Sequence, residues 1–236
     1  MVDAFKKEIE EEKEPPKGPV EGVKETLTMN PRRQEIFQYL CRYPCTRLAR
    51  IGKDLELSMA AAKWHLEKLA EKEFIIKHEV AGETVYCPAD MINEPDVRVL
   101  AAVNHERGTP VLRAIIQNPG ITLKDLCREV QLNPRTVLSH AAEMERLGLI
   151  ETIKDGKFKR FYKTEHIENI NDGYRKRAGK FRKGILKMLK GDGVSPKVVR
   201  ATDRALHVKI TAGTKKSVLE LNCQPFASVM EFYKGL

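Results

Sequence analysis

A shift of 75 positions brings two stretches of the chain into register without a gap. Ile36 falls on Val111, Leu40 on Ile115, Pro44 on Pro119, Leu48 on Leu123 and Ile51 on Leu126. Leu57 falls on Leu132, His65 on His140, Leu69 on Met144, and Phe74-Ile75 on Leu149-Ile150. An apolar pattern repeated in this order restricts the fold to two copies of one supersecondary unit, because each copy must bury the same positions.

Each copy reads as three helices and a hairpin. In the first, residues 31–43 place Ile36, Phe37 and Leu40 on one helical face, with Asn30 as cap and Pro31 in the first turn. Pro44 ends that helix. A second helix is expected over 46–55, with Leu48, Ile51 and Leu55 inward. Ser58 then caps a third over 59–72, with Ala62, Leu66 and Leu69 inward. Strands over 74–80 and 84–87 flank Ala81-Gly82. The second copy has a helix over 110–117, a break at Asn118-Pro119-Gly120, and a helix from the Thr122 cap to 130. A third helix over 134–147 is capped by Asn133 and ended by Gly148. Strands over 149–154 and 157–162 flank Asp155-Gly156, a strong hairpin signal.

The remainder of the chain is organised by charge. The net charge is +9, and residues 166–236 alone carry +9, so the whole excess lies in the last third. Within 174–190 there are eight cations and no carboxylate. Tyr174, Ala178, Phe181, Ile185 and Met188 recur there at helical spacing, which predicts a basic amphipathic helix over 169–193. Beyond it, Leu206, Val208 and Ile210 alternate with polar residues, a second strand is expected over 218–223, and a short helix over 226–233. Residues 1–30 carry −3 and read as an acidic flexible tail. The expected plan is therefore mainly α with small β-hairpins (α+β): a tail over 1–30, units over 31–92 and 93–168, the basic helix, and a small α/β extension over 194–236 serving in dimerisation or effector binding.

Composition narrows the function classes. With 42% hydrophobic and 32% charged residues the chain is expected to be a soluble globular protein. No apolar run reaches the ~18 residues of a membrane span, and the charged first residues do not read as a secretory signal. Five scattered cysteines argue against a disulfide framework and for a reducing cytoplasm. Cys41 and Cys45 lack the spacing of a zinc pair, and His65 and His140 read as helical histidines beside the core, so no metal or other cofactor is expected. No phosphate loop, dinucleotide fingerprint, zinc-protease motif or nucleophile elbow is present, which argues against an enzyme.

Three helices followed by a hairpin is the winged helix-turn-helix plan. The stretches 48–75 and 123–150 resemble the tandem winged-helix transcriptional regulators common in archaea and, more loosely, the MarR and ArsR classes of repressor. The resemblance is carried by Leu57-Ser58 with Trp64-His65-Leu66-Glu67-Lys68-Leu69, and by Leu132-Asn133-Pro134-Arg135-Thr136-Val137 with His140. It covers about residues 31–165. It implies that the third helix of each copy enters the major groove and that the hairpin follows the flanking phosphates.

On that plan the outward residues of the second copy, Arg135, Thr136, Leu138 and Ser139, face bases, with Arg135 suited to guanine. Lys154, Lys157, Lys159 and Arg160 make its wing cationic. In the first copy Met59, Ala60, Ala61, Lys63 and Trp64 offer few groups for base reading beyond Lys63, and its hairpin carries Glu79 and Glu83. Trp64 and Met59 are instead candidate interface residues. Arg175, Lys176, Arg177, Lys180, Arg182 and Lys183 are expected to add phosphate contacts. The expectation is a sequence-specific double-stranded DNA-binding regulator acting as a homodimer. The rivals are a non-specific architectural DNA-binding protein and a protein-interaction scaffold of transcription or replication machinery.

Overall fold

A computed structural model of the protein describes residues 26–230. The tail expected over 1–30 falls mostly outside the described residues. Its last part does not: Leu27–Met29 form a single 3-10 turn, and Thr28 donates both its N–H and its hydroxyl to the Asp192 carboxylate at 2.8 Å.

The first unit opens with α1 (Pro31–Arg42), whose cap Asn30 accepts from the Arg33 N–H. Next come β1 (Thr46–Arg47), α2 (Leu48–Asp54) and α3 (Met59–Glu71), the last capped by Ser58. The hairpin β2 (Ile75–Val80) and β3 (Glu83–Pro88) completes it. The helix expected from residue 46 starts two residues later, because Thr46 and Arg47 pair with Tyr86 and Val85 and are spent in a sheet of order β1-β3-β2.

Between the units lies a helix that the sequence pattern does not announce, α4 (Val97–Val103). Its four buried residues, Val97, Val99, Leu100 and Val103, belong to the core of the second unit. The second unit follows as α5 (Gly108–Gln117), β4 (Ile121–Thr122), α6 (Leu123–Val130), α7 (Pro134–Arg146), β5 (Ile150–Asp155) and β6 (Phe158–Lys163). Thr122 caps α6 and Asn133 caps α7. Its sheet runs β4-β6-β5. From β1 to β3, every boundary reappears 75 residues later in the stretch from β4 to β6, except that α6 runs one residue longer.

The basic helix is longer than expected. α8 (His166–Gly191) buries Ile167, Asn171, Tyr174, Ala178, Phe181, Ile185 and Leu189. Ile167 and Tyr174 join the core of the second unit, whereas Ala178, Phe181, Ile185 and Leu189 join that of the first. One stripe thus threads both cores and fixes the units against one another. Leu189 takes the inward place expected of Met188. Gly184 is admitted because Asp90 packs against it: a Cβ there would lie 3.1 Å from the Asp90 carboxylate.

The extension is a three-stranded sheet, β7 (Ser195–Ala201), β8 (Ala205–Ala212) and β9 (Lys215–Asn222), followed by α9 (Ala227–Met230). β7 is not legible as a strand in the sequence because a register shift at Val198/Arg200 breaks its alternation. The expected 226–233 helix is described as far as residue 230; the rest lies outside the described residues. The sheet packs on the first unit, with Leu206, Val208, Ile210, Leu219 and Leu221 in that core. Ser217 donates to Gln34 at 2.7 Å, and the Glu220 N–H donates to Gln38 at 2.8 Å. α9 returns to the second unit, where Phe226 and Val229 are buried.

Candidate nucleic-acid interface

In the second unit, α7 is fixed from below by Val137, Ala141 and Met144, all buried. That leaves Arg135, Leu138, Ser139 and Ala142 exposed along the opposite face. Thr136 is half-buried, its N–H donating to the Asn133 side chain at 2.9 Å. Arg135, at the second helical position, is exposed, and no hydrogen bond or ion pair holds its guanidinium among the described residues.

The wing beside it is strongly cationic. Lys154 stands directly across from Lys159. With Lys157, these are exposed and unpaired among the described residues. Arg160 has a different role from the one expected. Its Nε donates to Asp155 at 2.6 Å and its Nη1 to the Gly120 carbonyl at 3.0 Å, which ties the wing to the turn before β4. In doing so it neutralises the one carboxylate of the hairpin tip. Lys157 lies over the Phe158 ring at 5.4 Å. Phe158, Leu123, Cys127 and Pro134 line a groove of about 570 Å³ between wing and helices, flanked by Lys124, Lys157 and Lys159. Lys124 is a cation not anticipated from the sequence; it stands outward on the helix preceding α7, and that position was the available signal.

The first unit differs at the equivalent places. Met59 and Trp64 are 51% and 48% exposed. Trp64 meets His65 edge to face, and the Arg33 guanidinium lies 5.0 Å from the Trp64 ring. Lys63 lies 4.0 Å from Glu67. On its hairpin, Glu83 pairs with Arg47 and Glu79 accepts from Thr84.

The cations of α8 divide in two. Arg175 bonds Asp203 at 3.2 Å, Arg177 packs over Tyr174 at 4.6 Å, and Arg182 donates to the Thr202 carbonyl. Arg175 and Arg182 thus anchor the helix to the extension, whereas Arg177 lies against a ring of its own helix. Lys176, Lys180 and Lys183 are exposed and unpaired among the described residues.

His140 is half-buried, and its ring stacks on His105, from the turn after α4, at 4.6 Å. Burial first, then the neighbouring ring and Arg47 and Arg50, holds His105 down at about 4. Burial, then Arg107 and Arg47, lowers His140. Cys45 and Cys87, one position beyond the β1–β3 pairing, bring their sulfurs to 2.6 Å inside the core. Among the described residues no three His, Cys, Asp or Glu side chains converge on a possible metal site, and no helix is long and apolar enough to cross a membrane.

Residues 111–151, from α5 to the start of β5, match the family described as winged helix-turn-helix DNA-binding. Over 145 residues the chain is 26% identical to an uncharacterised helix-turn-helix-type transcriptional regulator of Methanocaldococcus jannaschii; the match covers 61% of this chain and 36% of that protein. Among solved structures, the PcaV transcriptional regulator of Streptomyces coelicolor, crystallised with its natural ligand, is 14% identical with a TM-score of 0.26, over 56% of this chain and 82% of that one. The DIP2311 protein of Corynebacterium diphtheriae is 15% identical with a TM-score of 0.23, over 59% and 29%. The chain carries a winged helix-turn-helix region and is similar in sequence to a transcriptional regulator.

Proposed function

We propose that the protein is a sequence-specific regulator that binds double-stranded DNA through its second unit, in a chain built from two winged helices in tandem. One observation carries the reading: the exposed face of α7, with Arg135 and Ser139, adjoins a wing whose Lys154, Lys157 and Lys159 have no hydrogen-bond or ion-pair partner among the described residues. A recognition helix with a free arginine reads base edges, and unpaired lysines beside it hold phosphates. The first unit supports α8 and the C-terminal sheet and offers Trp64 and Met59 to a protein partner. A homodimer on a palindromic site is the arrangement that suits such a reader, and its place of action is the cytoplasm.

A second reading, non-specific binding, is favoured by the free Lys176, Lys180 and Lys183 of α8, which would add contacts without sequence information. Retention of genomic fragments on purified protein, in excess competitor and at near-physiological salt, separates the two. A shared motif among retained fragments supports the regulator. Uniform retention that collapses with added salt overturns it in favour of the architectural role.

A further inference from the structure

The C-terminal sheet has two unlike faces. The inner one is a set of buried leucine, valine and isoleucine side chains against α1 and α8. The outer one is laid out by the register. Lys197 stands across from Lys209, which stands across from Val218. On one side of that row lie Arg200, His207 and Glu220; on the other lie Ser195, Thr211 and Lys216. Lys197, Arg200, Lys209 and Lys216 are all exposed. Among the described residues no hydrogen bond or ion pair engages their charged ends. The one carboxylate on these rows is Glu220, and it is 3.8 Å from His207.

This arrangement works against the sheet itself. Like charges directly opposite one another on neighbouring strands, about 4.8 Å apart, are destabilising. The inner face already supplies the burial that folds the sheet, so the cations add nothing to it. They do give a stiff platform on which several anionic groups in a row would be neutralised at once. We infer that the outer face of the β7–β8–β9 sheet is a second phosphate-binding surface, which takes the backbone of duplex DNA without reading its sequence. Duplex DNA fits better than a lipid surface. Among the described residues the exposed large apolar side chains of the sheet are Val218 and the two valines at the register shift, Val198 and Val199, set among four cations, whereas an interfacial membrane anchor inserts a broad apolar face. The inference rests on the DNA-binding reading of the second unit and extends it to a surface that neither α7 nor its wing includes.

Lysine acetylation read by mass spectrometry, on the full chain with and without a saturating long random-sequence duplex, tests it. The expected result is protection of Lys197, Lys209 and Lys216 together with wing residues Lys157 and Lys159. In parallel, the triple variant Lys197→Gln, Lys209→Gln, Lys216→Gln is expected to flatten the dependence of log affinity on log salt. The slope changes by about 0.9 for each phosphate no longer neutralised, up to about 2.7 for three. The triple arginine variant at the same positions should retain the wild-type slope, which a merely structural role would not require. Wing lysines protected while sheet lysines react at an unchanged rate, with the slope also unchanged, would overturn the inference and leave the DNA-binding reading standing. Absence of any duplex binding, wing included, overturns both. Protection by phosphatidylserine vesicles but not by DNA overturns this surface as a DNA site and assigns it to lipid.

Discussion

The two units share one set of element boundaries and differ in what they place on it. At the residues facing outward from the third helix, one carries Met59, Lys63 and Trp64, and the other carries Arg135, Leu138 and Ser139. On the hairpin, one spends its acids on Arg47 and Thr84, and the other presents three unpaired lysines and silences Asp155 with Arg160. The turns differ as well. Positions 45, 56, 73 and 81 have positive φ, as do 120, 131, 148 and 156, their counterparts. In the second unit three of those four are glycine; in the first none is. The same backbone is therefore held with more local strain in the first unit. Two stretches with the same element boundaries thus share their turns while their outward side chains differ.

The sharpest way to break this contrast is at the helix faces. Arg135→Ala is expected to lose about 1–3 kcal/mol of DNA affinity and to relax specificity at one base position. Lys63→Ala, its nearest functional counterpart in the first unit, should change affinity by no more than about 0.5 kcal/mol. Fluorescence anisotropy on cognate and scrambled duplexes checks both, and equal losses from the two variants would erase the asymmetry. At the wing, Lys157→Gln with Lys159→Gln should weaken binding uniformly across sequences and lower the salt slope by about 1.8. A loss confined to one sequence would make these lysines base contacts instead.

The turn asymmetry predicts opposite signs at equivalent positions. Gly148 has a φ of +71°, so Gly148→Ala should cost about 1–2 kcal/mol of stability. Glu73, with a φ of +58°, sits at the same place in the first unit, and Glu73→Gly should gain up to about 1 kcal/mol. Chemical denaturation of both variants measures the pair.

The smallest effect concerns pH. His105 and His140 are both held below their ordinary range, so the folded state resists protonation that the unfolded chain accepts. The stability they allow is fully present above the unfolded value near 6.5. It declines as pH falls from there toward about 4, where His105 itself titrates. Glu106 partly offsets the cationic surroundings, and the half-exposed rings keep the decline shallow. A melting-temperature series between those limits should flatten in His105→Asn; an unchanged series would remove the ring pair as its cause.

The repeat, its offset and most of its elements are legible in the sequence, because apolar spacing and capping residues such as Asn30, Ser58 and Asn133 act within a few residues of chain. The sequence also placed Arg135, Leu138 and Ser139 outward on α7, once the inward residues were known, but not the half-burial of Thr136. The features that escape the sequence depend on distant partners. α4 is a seven-residue helix too short to declare itself, and it exists because the core of the second unit covers it. β7 is a strand because β8 pairs with it through a register shift. Arg160, Arg175, Arg177 and Arg182 look in sequence like any other cation beside a basic run. Only the approach of Asp155 and the Gly120 carbonyl, of Asp203 and of the Thr202 carbonyl turns Arg160, Arg175 and Arg182 into anchors, while Arg177 lies against Tyr174 of its own helix. A charge is legible in the chain, but whether it is free for a ligand is fixed by groups that meet it only after folding.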